Sequence, residues 1–134
     1  TGAGPDFCGA SAVHSHMTNT RMTDPEVLES RFPVRVDEFC IRRGSGGQGA
    51  YKGGDGITRK LAFLEPMTVT VLSSHRITEP AGSMGGGAGK RGENMIARQD
   101  GSKEELKGND AAQMRKGDVF IMHTPGGGGY FKIP

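Results

Sequence analysis

The sequence predicts a mainly β fold, an antiparallel sandwich or barrel-like domain with one short N-terminal helix and long Gly-rich loops. Several short runs rich in β-branched and aromatic residues are separated by turn residues. They follow one another without intervening helices, which argues against alternating βαβ units. Glycine supplies 23 and proline 7 of the 134 residues, so much of the chain is turn and loop.

Length and charge restrict the classes of function. A chain of 134 residues suits one domain with a core, although only 34% of the residues are hydrophobic. The net charge of +2, spread along the chain, predicts no partnership with nucleic acid or a membrane surface. Because the sequence contains neither an apolar run of about 18 residues nor a basic-then-apolar start, neither a membrane span nor a signal peptide is expected. Cys8 and Cys40 are interpreted as free thiols of a cytoplasmic protein.

The first residues differ in composition from the rest. Residues 1–12 are small and Gly-rich, which predicts a linker or a remnant of upstream chain, followed by a β domain at residues 13–134. The chain begins at Thr1 and not at Met, so we expect it to be a piece of a longer protein.

A short helix is predicted to begin within residues 23–26. Thr23 or Asp24 can cap free N–H groups, Pro25 suits the first helical turn, and Glu26 favours the positive end of the helix. Pro33 is expected to end the helix after about two turns. The following run, 34–43, is predicted to be a strand with a bulge where its apolar alternation slips.

The remaining elements are predicted to be strands and turns. Residues 57–64 and 67–74 have strand composition and are predicted to pair as a hairpin around Glu65-Pro66. Further strands are expected at 50–52, 94–98 and 119–123, with turns at the Gly-rich runs and at 100–101 and 116–118.

A polar run near the N-terminus is the main candidate for a functional site. Residues 14–26 combine imidazole, amide, hydroxyl and guanidinium groups with almost nothing apolar to bury. In an extended chain His14 and His16 share one face and could bind a common ligand. Candidate catalytic residues are His16, His14 and Asn19, and candidate substrate-binding residues are Arg21 and Thr18. The alternative is a capped turn without function.

A second candidate is the run Gly126–Gly129, whose N–H groups could bend toward one anion. His123 ends the preceding strand and is expected to face the same ligand. We expect the polar run and this glycine run to face a common pocket for a small acid. The candidate substrate-binding residues are therefore His123, Gly126, Gly127 and Gly128, unless the run is a flexible tail. His75, beside Arg76, is interpreted as a surface residue. A metal site of His14, His16 and His123 stays an alternative, and the leading interpretation assigns no metal.

No nucleotide-binding loop is predicted. Residues 84–91 (MGGGAGKR) have Met84 where a phosphate-binding loop needs Gly and Arg91 where it needs Ser or Thr. No cofactor is therefore assigned to this chain.

Three motifs in order resemble the hydantoinase B/oxoprolinase family: HSHMTNTRMTDPEVLESRFPV at 14–34, RRGSGGQGAYKGGDG at 42–56 and HTPGGGGY at 123–130. The resemblance covers about residues 11–130 and indicates the C-terminal part of such a protein. Within the family, TDPEVLESRFPV is more similar to ATP-dependent 5-oxoprolinases than to N-methylhydantoinase B subunits.

The resemblance implies a large enzyme, expected to be a homo-oligomer, that opens 5-oxo-L-proline to L-glutamate. ATP and Mg would be used by the remainder of the same enzyme or by a hydantoinase A-like partner, and the isolated fragment would be inactive. His16 would act as general base or substrate binder, and Asn19 and Arg21 as oxyanion partners. Alternatives are an N-methylhydantoinase B-type fragment, an assembly module without its own site, and a small metal-binding enzyme.

Overall fold

The computed structural model describes residues 1–14 and 21–134. The elements are α1 Pro25–Arg31, β1 Val34–Arg42, β2 Gly56–Phe63, β3 Met67–Leu72, β4 Glu93–Ala97, β5 Lys103–Leu106, β6 Asn109–Met114 and β7 Val119–His123. Five strands form an open antiparallel sheet in the order β1-β2-β7-β4-β5, and β3 pairs with β6 in a second sheet. The mainly β prediction is confirmed, and the sheets do not close into a barrel.

The core lies between the two sheets. Side chains alternate between the faces of a strand, so every second residue of each strand points toward the other sheet. The buried apolar cluster draws on both sheets and consists of Val34, Phe63, Val71, Ile96, Met114 and Phe120. Leu28 of α1 packs against this cluster from the side.

The predicted helix and bulge are confirmed. Asp24 caps α1, its carboxylate accepting the Glu26 N–H at 2.9 Å, and Pro25 occupies the first turn. The pairing of β1 with β2 shifts between Val36 and Glu38, as the slipped alternation predicted. Of the helices in the described ranges, none has the length and apolarity needed to cross a membrane.

The predicted hairpin between residues 57–64 and 67–74 is wrong, although both strands exist. β2 lies inside the large sheet with β1 on one edge and β7 on the other, so neither edge is free for β3. The chain bends after Phe63 and crosses to the second sheet, where β3 pairs with β6. This crossing places Val71 over Phe63 in the same core.

Two strands escaped prediction because their composition is polar. β5 (KEEL) is an edge strand, and β6 (NDAAQM) directs only Ala112 and Met114 toward the core. Conversely, the strand expected at 50–52 is reduced to a single bridge between Tyr51 and Tyr130.

Five Gly-rich segments pack side by side at one end of the sheet, and we call them the glycine bundle: residues 1–3, 45–48, 53–54, 81–89 and 126–129. The last segment is central. Gly127 donates its N–H to the Gly54 carbonyl and accepts the N–H of Gly47, both at 2.8 Å. Gly129 donates to Gly87 at 2.9 Å, and Gly128 accepts from Ala3 at 2.9 Å.

The bundle needs glycine because its backbones touch. A Cβ on Gly126 would overlap the Ser45 carbonyl, one on Gly127 that of Thr1, and one on Gly128 that of Ala81. None of these three glycines has a positive φ, so close approach and not backbone conformation excludes a side chain.

Residues 1–12, expected to be a linker, are tied to the domain. Besides the Ala3 bond, Gly9 donates its N–H to the Lys52 carbonyl at 2.8 Å and Ala12 donates to Asp55 at 2.9 Å. The segment therefore supplies one wall of the glycine bundle, because its backbone polar groups are paired there.

Asp118 anchors the turn between β6 and β7. Its buried carboxylate accepts the Arg115 N–H at 2.8 Å, the Gln99 N–H at 3.1 Å and the Arg98 guanidinium at 2.7 Å. Burial by itself raises the pKa of Asp118, but these hydrogen bonds outweigh it and the pKa lies below its ordinary value.

Replacing Gly127 by Ala is expected to lower the free energy of unfolding by about 3 kcal/mol or more, because the backbone of the Thr1 segment would have to move. Gly2→Ala is the matched control, since a Cβ there lies 3.7 Å from its nearest neighbour, the Gly128 carbonyl. Denaturant titration measures both variants, and equal stabilities would contradict close packing as the reason for glycine.

Asp118→Ala is expected to cost about 2 to 3 kcal/mol at pH 7, since the Arg98 guanidinium and two N–H groups lose their acceptor. A carboxyl whose pKa is lowered by folding stabilises above its unfolded pKa of about 3.9, and this contribution is lost as the pH falls through the folded pKa. The stability gap between wild type and variant should therefore narrow from pH 5 to pH 2 in chemical denaturation. A gap that stays constant would refute the assignment.

Candidate functional site

A cleft of about 870 Å³ lies where the core face of the large sheet meets the glycine bundle. Phe39, Arg59 and Met122 stand in register on β1, β2 and β7, and all three line the cleft. They lie on the same face as the core residues farther along the same strands. The cleft is thus a continuation of the core that the second sheet does not cover.

Apolar side chains form much of the cleft wall. Phe39 and Ile57 come from the sheet, and Val13 and Met22 come from the chain on either side of residues 15–20. Phe39 is 49% exposed and Val13 50%, an unusual exposure for large apolar groups that face a cavity. Such a wall suits a small ligand with an apolar ring.

The structure brings the two predicted regions to one cavity. His14 and Arg21, which bracket the undescribed residues, line the cleft together with Gly126, Gly127 and Gly128. His16, Thr18 and Asn19 lie outside the described residues, so their roles stay predictions. The expected meeting of polar run and glycine run is therefore present, as far as the described residues extend.

The N–H groups of the glycine run are already used. Gly126 donates to the Lys90 carbonyl at 3.0 Å, Gly127 to Gly54 and Gly129 to Gly87. These three N–H groups cannot form the anion-binding nest that the sequence predicted, because the neighbouring segments of the bundle take them. The run shapes the cleft wall with its backbone instead.

The two remaining histidines differ in their relation to the cleft. His123 lies on the sheet face opposite to Met122, with its Nδ1 2.9 Å from the Thr58 hydroxyl, so it does not join the cleft. Burial, and next the charge of Arg42, lowers the pKa of His123. His75 is exposed, as its interpretation as a surface residue expects, and it also lines the cleft. Its φ is +52°, and its carbonyl accepts the Gly92 N–H at 2.8 Å.

The sequence analysis did not identify two charged residues of the cleft, Asp55 and Arg59. Asp55 accepts the Gly46 N–H at 2.8 Å, which lowers the pKa of its carboxyl, so Asp55 is an anion held by the bundle. Arg59 is half-buried, and burial lowers the pKa of its guanidinium. Strand alternation contained the signal: Arg59 stands on the same face as apolar Ile57 and Leu61.

The described residues do not form a metal site. Among residues 1–14 and 21–134, no three His, Cys, Asp or Glu side chains lie close enough to hold a metal ion. Cys8 and Cys40 are both exposed free thiols.

Comparison with known proteins places this geometry in context. The family model described as hydantoinase B/oxoprolinase matches residues 1–132. The chain is 47% identical to a 5-oxoprolinase of Dictyostelium discoideum over 97% of its length, and 45% identical to 5-oxoprolinase 1 of Arabidopsis thaliana over 96%. It spans about one tenth of the length of each of these relatives.

The fold is also found in a solved structure. An ATP-dependent caprolactamase from Pseudomonas jessenii superimposes with a TM-score of 0.72 at 21% identity, over 94% of this chain and 24% of that one. At this identity the likeness concerns the fold alone.

Arg59→Met is expected to leave the free energy of unfolding unchanged within about 0.5 kcal/mol, or to raise it, because Arg59 is half-buried and forms no ion pair with residues 1–14 and 21–134. Arg98→Met, the control, should lower it by about 2 kcal/mol, since Arg98 pairs with Asp118 and Glu104. Thermal unfolding of both variants decides this; a large loss for Arg59→Met would show that its role is structural.

Proposed function

The chain belongs to the hydantoinase B/oxoprolinase family, and we propose that it is part of a larger ATP-dependent enzyme that opens the lactam ring of 5-oxo-L-proline to L-glutamate. The observation that carries the proposal is the cleft in which His14 and Arg21 meet an apolar sheet face and the glycine bundle. The substrate is a small acid with an apolar ring and a polar amide. The cleft offers a surface for each of these parts.

The chemistry explains why such a site needs a second part of the enzyme. A lactam carbonyl resists attack by water, and ATP, when bound, would supply a phosphoryl group that makes the carbonyl carbon a better electrophile. The Gly-rich run 84–91 does not fit the phosphates of ATP, because the N–H groups of Gly87 and Gly89 are donated to the Gln48 and Pro80 carbonyls. We therefore assign ATP and Mg to the remainder of the enzyme or to a hydantoinase A-like partner.

The residues of this chain would act on the water and on the developing charge. A histidine of the polar run, His16 first and His14 next, would take a proton from the attacking water. Asn19 and Arg21 would donate hydrogen bonds to the phosphorylated lactam oxygen as water adds to the carbonyl carbon. The C–N bond would then break with a proton passing to the ring nitrogen, and a second water would release phosphate from the acyl phosphate. Thr18 and the backbone of Gly126–Gly128 would border the substrate. His14 and Arg21 lie at the cleft, as this scheme requires.

An assembly role for the same chain is the second candidate. Leu72 is 82% exposed and Ile77 88%, values that are costly for large apolar side chains unless other parts of the enzyme cover them. Such surfaces would join this chain to the rest of a homo-oligomeric parent. Size-exclusion chromatography with light scattering tests this, since Ile77→Ser should weaken assembly while the cleft stays intact.

The decisive assay uses the intact enzyme that contains this chain, with 5-oxo-L-proline and with N-methylhydantoin, each with and without ATP. We expect ATP-dependent release of L-glutamate from 5-oxo-L-proline. Activity on N-methylhydantoin alone would contradict this proposal and support the alternative hypothesis of an N-methylhydantoinase B-type fragment.

In the same enzyme His16→Ala is expected to lower the hydrolysis rate by about 100-fold or more, as the loss of a general base does. His123→Ala is the control, because His123 lies on the opposite face of the sheet. A rate for His16→Ala within about threefold of wild type would remove His16 from catalysis.

A further inference from the structure

Arg59 differs from the other half-buried arginines of the chain. Among the described residues the half-buried arginines are Arg42, Arg59, Arg76 and Arg98. Arg42 donates to the Arg91 and Thr124 carbonyls, and Arg76 donates to the Asn94 amide and the Ser74 carbonyl. Arg98 pairs with two carboxylates. The fold thus uses three of these guanidinium groups to hold its own segments together.

The guanidinium of Arg59 makes no hydrogen bond or ion pair with any atom of residues 1–14 and 21–134. The six residues in between, 15–20, contain no Asp or Glu, so they cannot supply a carboxylate partner. Arg59 nevertheless keeps its place on the cleft face, between Phe39 and Met122.

This position is costly for a cation in a folded protein. Partial burial between two apolar side chains removes water from the guanidinium, and no carboxylate of residues 1–14 and 21–134 pairs with it. A guanidinium in such surroundings attracts an anionic ligand more strongly than an exposed one, because water screens the charges less. Its planar fork matches the two oxygens of a carboxylate.

We propose that Arg59 binds the carboxylate of the substrate in the cleft and makes the enzyme select acidic cyclic amides over neutral ones. The inference rests on the proposed function and extends it by naming the residue that binds the substrate carboxylate. Arg21, exposed at the cleft, keeps its proposed place at the reacting carbonyl. The two arginines then have different ligands: the ring substituent for Arg59 and the lactam oxygen for Arg21.

The test compares two ligands that differ only at the carboxyl group: 5-oxo-L-proline and its neutral amide, 5-oxo-L-prolinamide. In the intact enzyme, KM is measured for the acid and the inhibition constant for the amide. Arg59→Met is expected to raise KM for the acid by about 100-fold, the effect of losing one charge-assisted hydrogen-bonded pair, and to change the inhibition constant of the amide by less than about threefold.

Two further variants complete the experiment. Arg59→Lys keeps the charge without the fork and should raise KM for the acid by only about tenfold. Lys60→Met is the matched control: Lys60 is the next residue of β2, lies on the opposite face and pairs with Glu38. It should leave both constants unchanged.

The outcomes separate this inference from the proposed function. If wild-type enzyme does not hydrolyse 5-oxo-L-proline, the proposed function fails. If wild type hydrolyses it, but Arg59→Met weakens the acid and the amide equally or weakens neither, the assignment of Arg59 is overturned. A selective loss for the acid, with partial retention in Arg59→Lys, supports it.

Discussion

Backbone-to-backbone packing around Gly126–Gly129 is the constraint on which the rest of this structure depends. The run is surrounded by segments that are far apart in sequence, and each contact excludes a side chain. Hydrogen bonds to several of these segments satisfy its polar groups, as buried backbone requires. The high glycine content therefore serves order here, although the same composition in an unpacked chain would favour flexibility.

The cleft follows from this packing. The glycine bundle continues the large sheet at one end, while β3 and β6 cover the core face only at the other. Between them Phe39, Ile57 and Met122 stay uncovered by the second sheet. Because Gly2 and Gly126–Gly128 have no side chains, the backbone of the bundle forms one side of the cleft directly. The charged side chains of the cleft come from the sheet, the polar run and Asp55.

The arginines divide the molecule into a part built for stability and a part open to ligands. Arg98 links Asp118 to Glu104 and holds two turns together. Arg59 faces the cleft from the same sheet and has no hydrogen-bond or ion-pair partner in the part of the chain that the structure describes. A half-buried charge that pairs with nothing in the fold indicates a binding site, because burying an unpaired charge costs free energy. The exposed apolar residues also suit contact with other protein surfaces, as in a chain that is packed within a longer protein.

Local chemistry was enough to predict where the helix begins, the bulge after Val36 and most of the strands, because caps, alternation and turn residues act over a few positions. The polar groups near the N-terminus and the glycine run also suggested that the two regions border one cavity. Tertiary structure alone decided three features. These are the strand pairing, the hydrogen bonds of the glycine N–H groups to distant segments, and the positions of His75, His123 and Arg59 relative to the cleft. They depend on which edges and carbonyls other parts of the chain had already occupied, and no short stretch of sequence contains that information.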